Sequence, residues 1–454
     1  MKKIIRLLAI VLCLSTLLPI MTFAQNNTIN NEGYTKITVN QLLNTVEETV
    51  IVLPDNFTNE TIDGVSIELN GKLINANINI NKNILTISPF EYEYFKDGKT
   101  YTIRLFTRNN KYEFNIKATN LSNLDFSKDN LIKIPANPEK GFNYPYWLFI
   151  PKEVNASEYK RLIVEPNNTG YVSDFLQLHD EEAKMTAIGG KQGAHVARWL
   201  KIPLLVPVFP RPETNWWDNY YHTLSRDVML QKSGDGKRVD LQLIAMIKDA
   251  QELLARNGLQ LEKKVFMTGF SASGQFVNRF TVLHPEMVKA VYHGGFTMYP
   301  TDTLNGNKLT FPLGTADIEE IAGKSFNLEE YKKVAQFVYT GDLDRNDRIE
   351  PSEEDYSEYD AKVMYNLYQS HDPMAIWKRK EQLMNQLGFG DSIQFHIYKG
   401  VGHSIPQAVY HDIIKFFMVN HGNNIVKIDA TEDGSYWNPD ATTQLIKKAY
   451  NKHW

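Results

Sequence analysis

The chain has 454 residues, a single cysteine, 49 basic and 53 acidic residues, and a formal net charge of −4. This near-neutral balance, without a basic run beyond the first residues, gives no indication of a nucleic-acid partner or of binding to an anionic membrane surface. The single cysteine excludes a disulfide framework, and the length predicts two domains.

Residues 1–24 have the pattern of a signal peptide. Basic residues precede an apolar stretch that contains Cys13 and ends in Thr22-Phe23-Ala24, a small-residue cleavage pattern. An uncleaved membrane anchor is the alternative, since about 18 apolar residues just span a bilayer, but Ser15 and Thr16 favour cleavage. We expect a mature chain without cysteine or membrane span, either secreted or associated with the cell surface.

Short alternating strands separated by turns occupy residues 30–122. Asn70-Gly71 and Asp97-Gly98 suit tight hairpins, because Asn and Gly tolerate the positive φ that such turns require. The period-two pattern predicts an all-β, immunoglobulin-like sandwich. We interpret this accessory domain either as a spacer or as a module that contacts a cell surface or a polysaccharide.

From residue 130 to residue 454, apolar strands alternate with amphipathic helices, which is typical of a mainly parallel sheet covered on both faces. The clearest helix is predicted at 239–258, where Gly258 is a natural stop. Residues 301–333 are expected to include a lid or cap, and residues 422–454 a tail packed on the surface. Strands are predicted at 144–151, 161–166, 203–209, 264–270, 288–294, 335–341 and 394–400.

Ser271 lies between the strand at 264–270 and a helical segment, with Gly269 two positions before it. A strand, a sharp turn and a helix around Gly-x-Ser-x-small is the nucleophile elbow, in which the serine occupies a strained turn. Ser273 stands where the common pattern has Gly, and it does not fit the pattern as the nucleophile itself. A turn made only of small residues is the alternative interpretation.

His403 follows the last predicted strand and precedes a helical segment. A serine hydroxyl needs an imidazole to take its proton and a carboxylate to orient that imidazole, in the chain order Ser, acid, His. We therefore predict that His403 is the base. His293, at the end of a strand, and His396, within one, are interpreted as structural.

The loop after the strand at 335–341 is rich in acids. Asp342, Asp344 and Asp347 are all candidates for the carboxylate that orients His403. The loop also has a second interpretation as a calcium site, because its oxygen-bearing residues follow the spacing of a calcium-binding loop, although Asp347 occupies the position that needs Gly. The candidate calcium ligands are Asp342, Asp344, Asn346 and Glu353, with Arg348 at the carbonyl position.

Two donors are expected for an oxyanion. One is the backbone N–H of Ala272, the residue after the nucleophile, and the other comes from the loop after the strand at 161–166. In that loop Asn168 is the first candidate and Thr169 the second, while an ordinary Asn-rich turn is the alternative.

An aromatic segment follows the strand at 203–209 and precedes the long helix. On a loop at the carboxyl edge of the sheet, such rings are expected either to line an acyl or aryl pocket or to plug the core. The residues concerned are Trp216, Trp217, Tyr220 and Tyr221.

Residues 130–420 resemble the secreted bacterial α/β hydrolases grouped around polyhydroxybutyrate depolymerases and feruloyl or acetyl esterases. The resemblance lies in EPNNTG (165–170), PVFPRP (207–212), GFSASG (269–274), GDLDRND (341–347) and GVGHS (400–404). It implies an α/β-hydrolase fold with an eight-stranded, mostly parallel sheet and helices on both faces, and ester hydrolysis through an acyl-enzyme. Gly341 followed by Asp344 looks like the GxxD of such enzymes, which favours Asp344 as the acid. Pro166-Asn167-Asn168 departs from the His-Gly of many relatives.

The expected function is hydrolysis of a carboxylic ester in a small molecule or a polymer, without a cofactor, since the serine chemistry supplies its own nucleophile and base. A serine peptidase or acyltransferase would use the same residues, because a fold does not dictate its substrate. A non-catalytic surface or binding protein is the alternative from another class.

Overall fold

The computed structural model describes residues 33–55, 57, 60–90, 93–119, 124–168, 170–216, 218–346, 356–436, 438–440 and 443–444. The chain divides into two units at residue 119. The predicted signal peptide, residues 1–24, lies outside the described residues. The site candidates Thr169, Trp217, Asp347, Arg348 and Glu353 also lie outside them.

The first unit is built from strands that form two sheets, ordered β1-β9-β8-β4-β5 (with β2 also pairing with β9) and β3-β7-β6. Side chains alternate along β8, so Tyr101, Ile103 and Leu105 are buried. Both sheets contribute to one core, in which Ile51 and Leu85 join these residues. The strands are β1 (Thr35–Lys36), β2 (Leu43–Asn44), β3 (Thr49–Val52), β4 (Ile62–Leu69), β5 (Lys72–Leu73), β6 (Ala76–Asn81), β7 (Ile84–Pro89), β8 (Thr100–Thr107) and β9 (Lys111–Thr119).

Two of the predicted turns adopt the backbone that their residues allow. Asn70 and Gly71, between β4 and β5, have φ of 53° and 75°, and Gly98, before β8, has φ of 76°. The identity of this unit as an immunoglobulin-like module stays a prediction.

The second unit contains an eight-stranded sheet ordered β10-β11-β13-β12-β14-β15-β18-β19. Strand β11 is antiparallel to both neighbours, whereas the pairs from β13 to β19 are parallel. The strands are β10 (Asn130–Ile134), β11 (Tyr146–Ile150), β12 (Ile163–Val164), β13 (Leu204–Pro207), β14 (Val265–Phe270), β15 (Val288–Gly294), β18 (Ala335–Gly341) and β19 (Ile393–Tyr398), and a separate hairpin consists of β16 (Thr303–Leu304) and β17 (Asn307–Lys308). Seven of these strands overlap the ranges predicted from the sequence, but β10 is absent from that prediction.

Helices cover both faces of this sheet. Successive strand residues point to opposite faces, so Met267 packs in the core beneath α4 and Phe266 in the core beneath α2 and α10, where its ring centroid lies 4.5 Å from that of Phe417. The helices are α1 (Leu176–Ile188), α2 (Gln192–Leu200), α3 (Arg226–Leu230), α4 (Val239–Arg256), α5 (Ala272–Leu283), α6 (Ile318–Ala322), α7 (Leu328–Tyr331), α8 (Glu358–Tyr368), α9 (Pro373–Gln386) and α10 (Val409–Val419). Among the described residues, none of these helices has the length and apolar character needed to cross a bilayer.

Helix α4 corresponds to the clearest helix of the sequence prediction. It ends at Arg256, and Gly258, with φ of 86°, follows in the left-handed region that glycine adopts at no steric cost. The stretch 301–333 forms the β16–β17 hairpin and the short helices α6 and α7, and its Leu309 and Phe311 are fully buried in the core. Its role as a lid stays a prediction.

The segment at 428–436 lies along the outer edge of β19. Gln394 exchanges two hydrogen bonds with the backbone of Ile428. Farther along, Lys399 N donates to Glu432 O at 2.8 Å and Gly434 N donates to Lys399 O at 3.0 Å. The two Lys399 bonds occupy backbone groups just after β19 that an edge strand otherwise leaves unpaired, and they support the chain on the way to His403.

Candidate active site

The loops after β12, β14, β18 and β19 meet at one edge of the sheet, because the carboxyl ends of parallel strands share that edge. Ser271 connects β14 directly to α5 and has φ of 58° and ψ of −124°. Its N–H donates to Gly294 O at 2.7 Å, and its carbonyl accepts from Gln275 N at 2.9 Å. A non-glycine residue with such a backbone persists only where its surroundings hold it, and here the strand and the helix do so.

Two glycines make this turn possible. A Cβ on Gly269 would lie 2.5 Å from the carbonyl oxygen of Ser273, and one on Gly274 would lie 2.2 Å from that of Gly294. Both distances are far below a van der Waals contact, so the close approach of α5 to the sheet requires glycine at these positions.

Ser273 closes the turn with its side chain. Its Oγ accepts from Phe270 N and lies 3.0 Å from both the nitrogen and the carbonyl oxygen of Phe270. The serine that replaces the usual glycine therefore adds hydrogen bonds next to Ser271. The sequence pattern marks Ser273 only as a departure from the usual glycine.

His403 lies between Ser271 and Asp344. Its Nε2 is 2.9 Å from Ser271 Oγ, and its Nδ1 is 2.9 Å from Asp344 Oδ2. Since a carboxylate can only accept, the proton on the neutral ring belongs on Nδ1, which leaves the Nε2 lone pair directed at the serine hydroxyl. The ring also packs against Phe270, with centroids 4.9 Å apart.

Asp344 is largely buried, and its pKa is lowered from the ordinary value. Burial acts to raise the pKa, but the hydrogen bonds from His403 and from Asn346 N, the latter 2.9 Å long, outweigh it. The group is therefore a carboxylate at neutral pH. Of its two rivals, Asp342 contacts the backbone of residues 400 and 401 instead of the imidazole, and Asp347 lies outside the described residues.

Ala272 begins α5, so its N–H belongs to the first helical turn, where amide groups have no partner within the helix. The positive end of the helix dipole adds to the attraction of an anion at this point. Asn168 lies at the same turn and donates from Nδ2 to Phe270 O at 3.2 Å.

Asn167 anchors the loop that carries Asn168. Its Oδ1 accepts from Phe209 N at 3.0 Å and its Nδ2 donates to Phe209 O at 2.9 Å, so the buried amide replaces a pair of backbone bonds at the end of β13. The local sequence does not indicate this role, because the partner of Asn167 lies 42 positions farther along the chain.

Three of the aromatic candidates, Trp216, Tyr220 and Tyr221, lie within the described residues, and they do not form one group. Tyr220 is buried, with the guanidinium carbon of Arg211 4.3 Å from its ring centroid, and its ring lies 6.4 Å from that of Trp216. Tyr221 packs in the main core, where its hydroxyl is hydrogen-bonded to Asn219 and Gln231. This placement corresponds to the plug interpretation for Tyr221, while a pocket role for Trp216 and Tyr220 stays a prediction.

The rings of His293 and His396 each contact a backbone carbonyl. His293 is fully buried with Nδ1 2.6 Å from Gly295 O, and burial lowers its pKa to about 4. His396 Nε2 lies 2.8 Å from Thr431 O. Within the described ranges, no three His, Cys, Asp or Glu side chains gather as metal ligands. The calcium interpretation remains untested, because Arg348 and Glu353 lie outside those ranges.

The nucleophile candidate thus follows the fifth strand of an eight-stranded, mostly parallel sheet with helices on both faces. The second unit has an α/β-hydrolase fold. No family model matches the chain, and no curated protein matches it.

The chain is similar to solved structures of esterases and depolymerases, at low identity. The poly(3-hydroxybutyrate) depolymerase LpqC from Bordetella parapertussis is 15% identical, with a TM-score of 0.40 over 66% of this chain and 92% of the other. Poly(aspartic acid) hydrolase-1 from Sphingomonas sp. KT-1 is 12% identical, with a TM-score of 0.39 over 61% and 94%. A thermostable esterase is 15% identical, with a TM-score of 0.33 over 89% of each chain.

Proposed function

We propose that this protein is a serine hydrolase that cleaves a carboxylic ester through an acyl-enzyme on Ser271. The observation that carries the proposal is the unbroken chain of contacts from Ser271 Oγ through His403 to Asp344. A neutral serine hydroxyl is a weak nucleophile, and this arrangement provides both the base and the group that orients the base.

In the first half of the proposed reaction, Ser271 Oγ attacks the ester carbonyl while His403 Nε2 takes the hydroxyl proton. Asp344 stabilises the imidazolium that forms. The oxyanion accepts the N–H of Ala272 and a donor from the loop at Asn168. When the tetrahedral intermediate collapses, the bond to the alcohol breaks and the alcohol leaves with the proton from His403.

In the second half, water replaces the alcohol. His403 takes a proton from the water, the resulting hydroxide attacks the acyl carbonyl, and the acid leaves as Ser271 recovers its proton. Net consumption is one ester and one water. The partial exposure of His403, 33% of its side chain, supports this step because the water needs access to Nε2.

Labelling with a fluorophosphonate tests the nucleophile. We expect labelling of the wild type and of Ser127→Ala, a control at an exposed serine in the same unit, and no labelling of Ser271→Ala. Labelling that persists in Ser271→Ala would overturn the assignment. A panel of aryl esters and peptide amides then tests the substrate, and faster cleavage of amides would replace the esterase proposal with a peptidase.

We further propose that the chain is exported and that its first unit is an immunoglobulin-like accessory module. The signal pattern in residues 1–24 and the shared core of two sheets support these proposals. In bacterial expression we expect the protein outside the cytoplasm with its N-terminus at Gln25. A chain that stays inside the cell and starts at Met1 would contradict export.

A further inference from the structure

Two loops hold the acid and the base of the candidate site. The acid loop, residues 342–346, follows β18, and the histidine loop, residues 399–404, follows β19. Asp344 contacts the His403 ring. A second aspartate of the acid loop uses its side chain to contact the backbone of the histidine loop. Asp342 Oδ1 accepts from Gly400 N at 2.8 Å and from Val401 N at 3.2 Å.

Backbone contacts beside Asp342 join the same two loops. Leu343 N donates to Val401 O at 2.8 Å, and Asp342 N donates to Tyr398 O at 3.0 Å. A Cβ on Gly341 would lie 2.2 Å from Val401 O, so the two backbones touch here. The chain from Gly341 to Leu343 therefore holds the chain from Tyr398 to Val401, which ends two positions before the histidine.

The histidine loop needs such support because of its composition. It contains two glycines, of which Gly400 has φ of 76°, and glycine leaves a chain more conformational freedom than any other residue. A side-chain oxygen that accepts from two successive N–H groups restricts this freedom, because both groups must stay directed at the same acceptor.

We propose that Asp342 is a positioning residue for His403, acting on the backbone of the histidine loop rather than on the imidazole. The inference rests on the proposed function, since it concerns the placement of the base. Asp342 keeps Nε2 within 2.9 Å of Ser271 Oγ by fixing residues 400 and 401, which are separated from His403 by one glycine. Its function differs from that of Asp344, although both aspartates belong to one Gly-Asp-Leu-Asp sequence.

The test compares Asp342→Ala with Asp342→Asn in the full-length protein, using p-nitrophenyl acetate. Alanine removes the acceptor, whereas asparagine keeps one oxygen that can accept both N–H groups. Because a misplacement of about 1 Å can cost about 10²-fold in rate, we expect kcat of Asp342→Ala to fall by about 10- to 100-fold with little change in KM. Asp342→Asn should stay within about threefold of the wild type, and so should Asp391→Ala, an exposed control in the same unit.

Active-site titration with a fluorophosphonate keeps the test independent of folding, because kcat is then expressed per reactive Ser271. The proposal is overturned if Asp342→Ala retains the kcat of the wild type per titrated site. It is also overturned if Asp342→Asn loses as much as Asp342→Ala, since charge and not the acceptor would then matter. Failure of the proposed function has a different signature, namely hydrolysis by Ser271→Ala at the rate of the wild type.

Discussion

At the scale of single residues, the candidate site depends on positions where a side chain has almost no room. Ser271 is held at a positive φ, and Gly274 allows α5 to approach the sheet behind it. Such positions concentrate at functional sites because the strain is compensated by the rest of the fold.

Gly274→Ala should damage both stability and activity. The new Cβ would lie 2.2 Å from Gly294 O, a backbone atom that cannot rotate away, so the helix must move. We expect a loss of about 1–3 kcal/mol in the free energy of unfolding and slower labelling of Ser271. Urea unfolding measures the stability of this variant and of the control Gly422→Ala, where no atom lies within 4 Å of the added Cβ. Equal stability of the two variants would contradict the steric account.

Asp344→Asn should leave the fold intact and greatly reduce the rate of ester hydrolysis. The amide can present its NH₂ group to Nδ1 and thereby stabilise the tautomer that carries its proton on Nε2, which cannot accept from Ser271. We expect kcat for an aryl ester to fall by about 10⁴-fold, as in other triads. Steady-state kinetics with circular dichroism as the folding control measures this, and a fall of less than about tenfold would show that Asp344 does not orient the base.

Among the helices, strands and loops, the sequence predicts the features that depend on neighbouring residues. It does not predict those that depend on contacts between distant parts of the chain. Ser271 and His403 are predicted from the residues around each of them, because a strand, a turn and a helix leave a readable pattern. Strand β10 lies at the edge of the sheet and contains Asn130 and Lys133, so it lacks the continuous apolar run that reveals the buried strands. The separate contacts of Asp342 and Asp344 arise from packing against residues 400–403, more than fifty positions away, which periodicity cannot express.

Glu165, which directly follows β12 and contacts α2, makes the stability of the fold depend on pH. Its carboxylate accepts from Gly193 N at 2.6 Å at the start of α2, and burial raises its pKa to about 7, despite Lys191 and this hydrogen bond. The folded pKa therefore lies above the unfolded value, so the contribution of this group to stability is complete below about pH 4.5 and is lost as pH rises through about 7.

Glu165→Gln tests this sign. Glutamine keeps an acceptor oxygen for Gly193 and does not titrate. We expect the free energy of unfolding of the wild type, minus that of the variant, to decrease between about pH 5 and about pH 8. Buried histidines such as His293 titrate in both proteins and cancel in this difference. A difference that is flat or rises with pH would contradict the raised pKa.

At the scale of the whole molecule, Ser271, Asp344, His403 and the described contacts that hold them all belong to the second unit. The sequence predicts a domain boundary between residues 122 and 130, where a pattern of strands alone is followed by a pattern of alternating strands and helices. What the first unit binds cannot be read from its pattern, because its alternating residues report burial in its own core and not recognition.

A chain that begins at residue 124 should retain the chemistry. We expect it to be labelled at Ser271 and to hydrolyse p-nitrophenyl acetate within about threefold of the full-length rate, because β10 and the rest of the large sheet remain. Kinetics per titrated site compare the two proteins. Loss of labelling in a folded shortened chain would show that the first unit contributes to the site.

If Ser271 forms a covalent acyl intermediate with the help of His403, the acyl group must be found on that serine during turnover. After rapid acid quenching of the reaction with p-nitrophenyl acetate, digestion and peptide mass spectrometry should find one acetyl group on the peptide that contains Ser271. The acetyl group should be absent from Ser271→Ala and should form far more slowly in His403→Ala. Acetylation of a different residue during turnover, or undiminished ester hydrolysis by Ser271→Ala, would contradict the account.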